Sequence, residues 1–395
     1  MFRNIALTIL LLTFGFKMSA QVIGLSQMDG AYMAVKSKYA PDKRTAILDL
    51  KFDVPSPDIL VITGETTVPE AMDELKTMLY NYTIKDQVVR LPLKSLNGLE
   101  HAVITLSVGN IRQKPDHSAE LVTQSLLGTT VKVLKDAEDD WFLIQTPDNY
   151  IGWIDGAGIE LMTTDQFNKW MAADKIIYAD VYGLVYSSAK LDEGTISDIT
   201  AGGILLLRDA GKKTFTVEFP DGRKGYIPAK SAKPLKKWVK NLKPDPNEII
   251  KTAKKFMGVP YLWGGTSPKG MDCSGFTKTV YFLNGVQLAR DASQQVLYGE
   301  EVDISGGYDK LKRGDLVFFG PEPPAGKDQR ITHVGIYIGN KEFIHAAGMV
   351  KINSFDPKSP IFSEYRTSML VKARRILTSL DTPGIIKLNQ KIFFK

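Results

Sequence analysis

Apolar and polar positions alternate with a period of two along most of the chain, and only a few stretches change to helical spacing. An apolar run fills Ile5 to Phe16, and strand-like alternation follows from Thr45 to Phe52 and from Asp58 to Thr63. Between Val68 and Tyr80, apolar Met72, Leu75, Met78 and Leu79 recur at helical spacing, directly after Thr66-Thr67-Val68-Pro69. A small α+β unit over residues 21–95 is the expectation.

The middle of the chain repeats itself. Residues 106–154 align without a gap onto 179–227 at an offset of 73. Val131-Lys132-Val133-Leu134-Lys135-Asp136 faces Ile204-Leu205-Leu206-Leu207-Arg208-Asp209, and Gly152-Trp153-Ile154 faces Gly225-Tyr226-Ile227. Each copy reads as short strands broken by Gly, Pro and Asp turns, the pattern of a small β-barrel. The closing pattern of strand, Asp-Asn-Tyr or Asp-Gly, then Gly-aromatic-Ile resembles bacterial SH3-like domains. This places one such domain at 96–162 and a second at 163–235. Nine lysines between Lys230 and Lys255, with Pro234, Pro244 and Pro246, predict a solvated linker at 236–246.

Residues 247–379 form the last expected domain. Helices are predicted from Glu248 to Met257 and from Cys273 to Leu283, and strands at Leu316 to Phe319, Ile331 to Ile338 and Glu342 to His345. Helices ahead of an antiparallel sheet make it α+β. The tail, 380–395, carries no legible signal.

Composition changes this picture in two ways. At 395 residues, 44% hydrophobic and 24% charged, the chain is neither disordered nor a multi-span membrane protein. A net charge of +6 without dense basic tracts makes nucleic acid an unexpected partner. The head, Met1-Phe2-Arg3-Asn4, the short apolar run and the small residues Ser19-Ala20 read as a secretory signal peptide over 1–20, cut near Ala20. The expectation is export to a periplasm, cell wall or medium, with no stable membrane insertion after cleavage. The chain holds one cysteine, Cys273, which cannot form an internal disulfide and is therefore either a small buried hydrophobe or a reactive thiol.

Its setting favours the thiol. Asp272 can cap the helix that Cys273 opens, so the helix dipole is expected to lower the thiol pKa. Of four histidines, His333 and His345 lie on predicted strands opposite apolar neighbours, and Gly335 beside His333 is expected to leave room for substrate. Nucleophile, base and base-orienter would complete a set. A zinc site from Cys273, His333 and His345 is the less favoured alternative, because the three lack paired ligand spacing. His101 and His117 are expected at the surface.

Together Tyr261-Leu262-Trp263-Gly264-Gly265, Asp272-Cys273-Ser274-Gly275, Lys312-Arg313-Gly314-Asp315-Leu316-Val317-Phe318-Phe319, Thr332-His333-Val334-Gly335-Ile336-Tyr337 and Phe343-Ile344-His345-Ala346 resemble NlpC-type papain-like cysteine peptidases. The resemblance implies Cys273 as nucleophile, His333 as base, His345 as its orienter and Tyr261 at the oxyanion, with no metal and no cofactor. The two SH3-like domains are similar to those of γ-D-glutamyl-L-diamino acid endopeptidases of the dipeptidyl-peptidase VI type, which take peptidoglycan-derived stem peptides with a free N-terminal L-alanine. On that likeness Glu120, Tyr150 and Asp291 would bind the free amine, and Trp263, Asp272, Ser274 and Thr332 would line the substrate. Thr332 stands where several relatives have histidine, and Ala292 follows Asp291 where relatives have serine. Tyr150 becomes Arg223 in the second copy, so the fold itself does not demand tyrosine there. Two other readings remain: an autolysin anchored to intact wall by its SH3-like domains, and a wall-binding protein without catalysis. The implied fold class is a multidomain α+β chain, with two SH3-like β-barrels, a papain-like peptidase domain and a small N-terminal α+β unit.

Overall fold

The computed structural model describes residues 27–394. The expected signal segment lies outside the described residues. The described residues divide into two compact units, one ending at Ser95 and one beginning at Leu96. No helix among the described residues is long and apolar enough to cross a membrane.

In the first unit, a helix over 27–39 precedes strands Leu48–Ser56 and Ile59–Thr66, helix Glu70–Met78 and strand Thr83–Arg90. The first two strands pair antiparallel and the last two parallel. A parallel pair requires a crossover, which the helix supplies with Met72 and Leu75 buried against Leu60 and Ile62. The sequence pattern gave no sign of the first helix or the third strand. Most positions of Thr83–Arg90 are at least partly exposed, so its residues lack the apolar alternation of a buried strand.

In the second unit the repeat is visible strand by strand. The first seven-stranded sheet runs, in spatial order, Leu121–Leu126, Val108–Arg112, Ile151–Asp155, Trp141–Gln145, Thr130–Ala137, His101–Ile104, Ile159–Met162. The second runs Thr195–Thr200, Tyr182–Tyr186, Lys224–Pro228, Thr214–Glu218, Ile204–Ala210, Lys175–Tyr178, Ala232–Pro234, which is the same order at the same offset. Helix Thr164–Ala172, started by a capping box of Thr163 and Gln166, joins them and buries Trp170 and Met171 against Val103 and Leu206. Leu127, from the first copy, sits in the core of the second.

The segment expected as a solvated linker is partly built into this unit. Helix Leu235–Lys240 buries Leu235 and Val239 against Ile177 and Ile204. Leu235, Trp238 and Val239 recur at i, i+3 and i+4 among the lysines, and that narrow apolar stripe decides the outcome over the charge count.

The catalytic third packs helix Cys273–Leu283 and helix Pro246–Lys255 against one face of a six-stranded antiparallel sheet. The sheet order is Glu300–Glu301, Leu370–Arg375, Leu316–Phe319, His333–Gly339, Glu342–Ala347, Met349–Ser354. Val334, Ile336 and Ile344 face the helix, and Phe319, Tyr337, Phe343 and Phe355 form a second core behind the sheet. The tail belongs to the fold. Strand Ile385–Lys387 pairs with Val286–Leu288, and Phe393 packs edge-on to Trp238.

Candidate active site

Helix Cys273–Leu283 begins under tight control. Asp272 is its N-cap, accepting from the Gly275 N–H at 2.7 Å, and its other oxygen accepts from the Gly264 N–H at 3.0 Å. Arg290, 1% exposed, forks onto the same carboxylate at 2.6 and 3.1 Å and donates to Ser274 Oγ at 3.1 Å. Asp272 and Ser274 are thus consumed in holding the loop and helix that present Cys273. Both had been expected along the substrate, and their bonding makes them framework. Arg290 also donates to Thr123 Oγ1 of the first barrel at 2.8 Å.

Cys273 is only 6% exposed. Burial pushes its thiol up to about 12, reinforced by the Asp272 carboxylate, while the N–H groups of Val334 and Ser274 and the charge of Arg290 oppose the shift. The expected lowering by the helix N-terminus is therefore overturned. Desolvation of the anion acts against the dipole, and burial favours the neutral thiol.

The first residue of strand His333–Gly339 comes to the thiol, since the N–H of Val334, next in the chain, bonds the sulfur. His333 Nε2 lies 2.7 Å from His345 Nδ1, and His345 Nε2 lies 2.9 Å from Asn353 Oδ1. Asn353 Nδ2 donates to the Ile361 carbonyl at 3.0 Å, which can only accept. This fixes every proton in the row. Asn353 Oδ1 must accept from His345 Nε2–H, so His345 Nδ1 carries a lone pair and accepts from His333 Nε2–H. His333 Nδ1 is left as the free base. Burial holds His333 well below its ordinary value, helped by Arg366, and holds His345 down at about 4. With their nitrogens bonded to each other, the two imidazoles do not converge on a metal, which removes the zinc alternative.

Gly335 has a different use from the one expected. A Cβ there would meet the Ile344 carbonyl at 3.1 Å and His345 Cβ at 3.2 Å, so the glycine makes room for the second histidine and not for substrate. Tyr261 is half-buried, and burial together with nearby Cys273 raises its pKa well above the ordinary phenol, so it stays a hydrogen-bond donor. Thr332 is exposed at the strand entrance.

The first barrel closes one side. Leu121 presses its carbonyl on Gly264, where a Cβ would come within 2.3 Å of that oxygen at φ +79°. Trp263, 62% exposed, donates from Nε1 to Glu120 Oε1 at 2.7 Å. Tyr150 Oη donates to Asp291 Oδ2 at 3.2 Å, and Thr266 bonds Gln124 twice at 3.0 Å. The structure thus brings Tyr150 and Asp291 together across the two domains and joins Glu120 to Trp263. His117 lies far from the thiol's cluster, beside Asp155 and Trp141, and His101 stacks on Phe167.

Sequence reasoning missed Asn353 and the role of Arg290. Arg290 stood in view beside Asp291, but its partners lie 18 and 167 residues away. Asn353 carried only the weak signal of a polar residue alternating on an edge-side strand.

Known proteins agree with this geometry. Residues 258–375 match the NlpC/P60 family, and residues 111–159 match the bacterial dipeptidyl-peptidase SH3 domain. The dipeptidyl-peptidase 6 of Lysinibacillus sphaericus is 28% identical over 275 residues, covering 67% of this chain and 95% of that protein. A γ-D-glutamyl-L-lysine dipeptidyl-peptidase of Bacillus cereus is 29% identical over 235 residues, covering 58% of this chain and 67% of the relative. The crystal structure of an NlpC/P60 family protein from Bacillus cereus superposes with a TM-score of 0.58 at 25% identity, covering 70% of this chain and 99% of that one. Motif order, fold and relatives place an NlpC/P60 cysteine peptidase domain at residues 258–375 of this chain, behind a bacterial dipeptidyl-peptidase SH3 domain at 111–159.

Proposed function

We propose that the protein hydrolyses the bond between γ-D-glutamate and a diamino acid in peptidoglycan stem peptides whose N-terminal L-alanine is free, releasing L-Ala-D-Glu. Cys273 attacks the γ-carbonyl as His333 Nδ1 takes its proton, because the resting thiol is neutral and the base is unprotonated. Tyr261 and the Cys273 backbone N–H hold the oxyanion. His333 returns the proton to the leaving amine, and water then cleaves the thioester with the same histidine as base. His345 and Asn353 keep Nε2 of His333 protonated throughout, so Nδ1 is always the nitrogen that works.

The observation that carries the reading is the contact of Tyr150 with Asp291 across the domain boundary. An ammonium taken from water needs an opposite charge and several acceptors, and this pair offers both, with Glu120 on the neighbouring Trp263. Export of the mature enzyme is part of the same proposal.

Product analysis on L-Ala-γ-D-Glu-diamino acid peptides with free, acetylated and muramyl-capped alanine tests it. The free amine should be preferred by about a hundredfold. Equal rates on free and capped peptides would instead support an autolysin acting on intact wall. No hydrolysis of any of them would leave the wall-binding alternative.

A further inference from the structure

Arg366 differs from three other arginines of the last third. Arg290, Arg374 and Arg375 each face a carboxylate: Asp272, Glu301 and Asp315. Arg366 sits half-buried on the short helix Glu364–Ser368, and its guanidinium meets no carboxylate and no hydrogen-bond acceptor among the described residues. It lies over two rings instead, 5.7 Å from the centre of Phe319 and 5.2 Å from that of Tyr365. Burying a cation without an anion is unfavourable, and burial does depress this guanidinium.

Its location is at the reacting groups. Phe319 is 5.6 Å, centre to centre, from the His333 ring. The charge of Arg366 acts on Cys273, Tyr261, His333 and His345. The cation therefore stands on the histidine side of the thiol. That is the side from which His333 must protonate the leaving amine, and so the side where the leaving residue lies.

Resting on the peptidase reading above, we propose that Arg366 binds a carboxylate carried by the leaving diamino acid. Its ring-backed guanidinium supplies a bidentate fork for which the free enzyme has no anion. An Arg so placed selects short peptides that end in a free carboxylate, or diamino acids with a side-chain carboxylate, over neutral continuations. The α-carboxylate of D-glutamate is the other source of the same chemistry, and it lies on the acyl side.

The test compares kcat/KM on peptides that share L-Ala-γ-D-Glu and differ in the leaving residue: lysine amide without a carboxylate, lysine with a free C-terminus, and diaminopimelate with a C-terminal amide. The wild type should prefer at least one carboxylate-bearing peptide over lysine amide by about tenfold. Arg366→Gln should erase that preference, over and above a loss common to all the peptides from removing a charge beside His333, and Arg366→Lys should recover part of it. A fourth peptide replaces D-glutamate by D-isoglutamine. If Arg366→Gln abolishes discrimination there and not among the leaving residues, the assignment to the leaving side is overturned. A wild type without preference, or a variant that keeps it or loses all peptides in proportion, overturns the proposal as well. The ratio of free to acetylated L-alanine, read in the same assays, belongs to the opposite end. Its collapse would sink the free-amine reading without touching Arg366.

Discussion

The two barrels share a strand order and differ in everything that touches the thiol's neighbourhood. Tyr150 of the first bonds Asp291, whereas Arg223 at the same place in the second stacks 4.3 Å over Phe219, pairs with Asp221 at 2.7 Å and reaches the Thr105 carbonyl. Thr123, which receives Arg290, corresponds to Ile196, and Gln124, which anchors Thr266, corresponds to Ser197. Glu120 holds Trp263, while its counterpart Glu193 is exposed. A duplicated fold thus accepts tyrosine or arginine, threonine or isoleucine, at equivalent corners. What keeps the first set is the peptidase surface it meets, not the barrel. The second copy has been freed to pack against its twin and the helix Leu235–Lys240.

The largest expected effect establishes that the first barrel faces a reacting group at all. Cys273→Ser should lower kcat/KM by about a thousandfold or more while leaving the melting temperature nearly unchanged, because one buried sulfur is exchanged for one oxygen. Turnover close to wild type would remove Cys273 from the chemistry.

Docking of the two barrels should differ next. Arg290→Met strips the partner from buried Asp272 and the donor from Thr123, at a cost of about 3 kcal/mol in chemical denaturation. Lys269→Met breaks the more exposed contact with Asp198 of the second barrel, along with one hydrogen bond to Ser107 of the first, and should cost no more than about 1 kcal/mol. Equal losses would mean that the barrels are held alike.

Chemical readout should separate the copies further. Tyr150→Phe should reduce kcat/KM on free-amine peptide by about fivefold, the loss of roughly one hydrogen bond, and Arg223→Ala should leave it unchanged.

The smallest effect concerns neither barrel. Burial holds the His333 pKa well below its ordinary value, so the base stays active as pH falls, and the acid limb of kcat/KM should lie below the ordinary histidine range. Asn353→Asp puts an anion against His345, favours protonation of the histidine row and should move that limb upward by about one unit, with Tyr150→Phe leaving it in place. A limb that does not move would disconnect Asn353 from the base.

Much of this was legible in the chain. The repeat located the inner strands of both barrels, because the offset between Trp141 and Thr214 preserves both apolar alternation and turn residues, while His101–Ile104, Ile159–Met162, Lys175–Tyr178 and Ala232–Pro234 lie outside it. The helix from Cys273 to Leu283 could be read from its cap and its apolar face. What stayed hidden depends on contacts distant in sequence. The pKa of Cys273 follows from how deeply the sheet covers it, which no local pattern encodes. Gly335 could be read as space for a ligand only until His345 was seen to fill it. Strand Ile385–Lys387 takes its identity from Val286–Leu288, a hundred residues earlier in the chain.

Burial that disfavours the Cys273 thiolate has a consequence for how the protein meets oxidants. Peroxides and disulfides attack thiolates, and the first product, a sulfenic acid, needs either a second thiol or a reductant for repair. This chain has no second cysteine. A thiol held protonated until a substrate carbonyl arrives gives the oxidant almost no anion to consume, so the enzyme should age slowly in peroxide while remaining open to electrophiles that present a carbonyl to Tyr261.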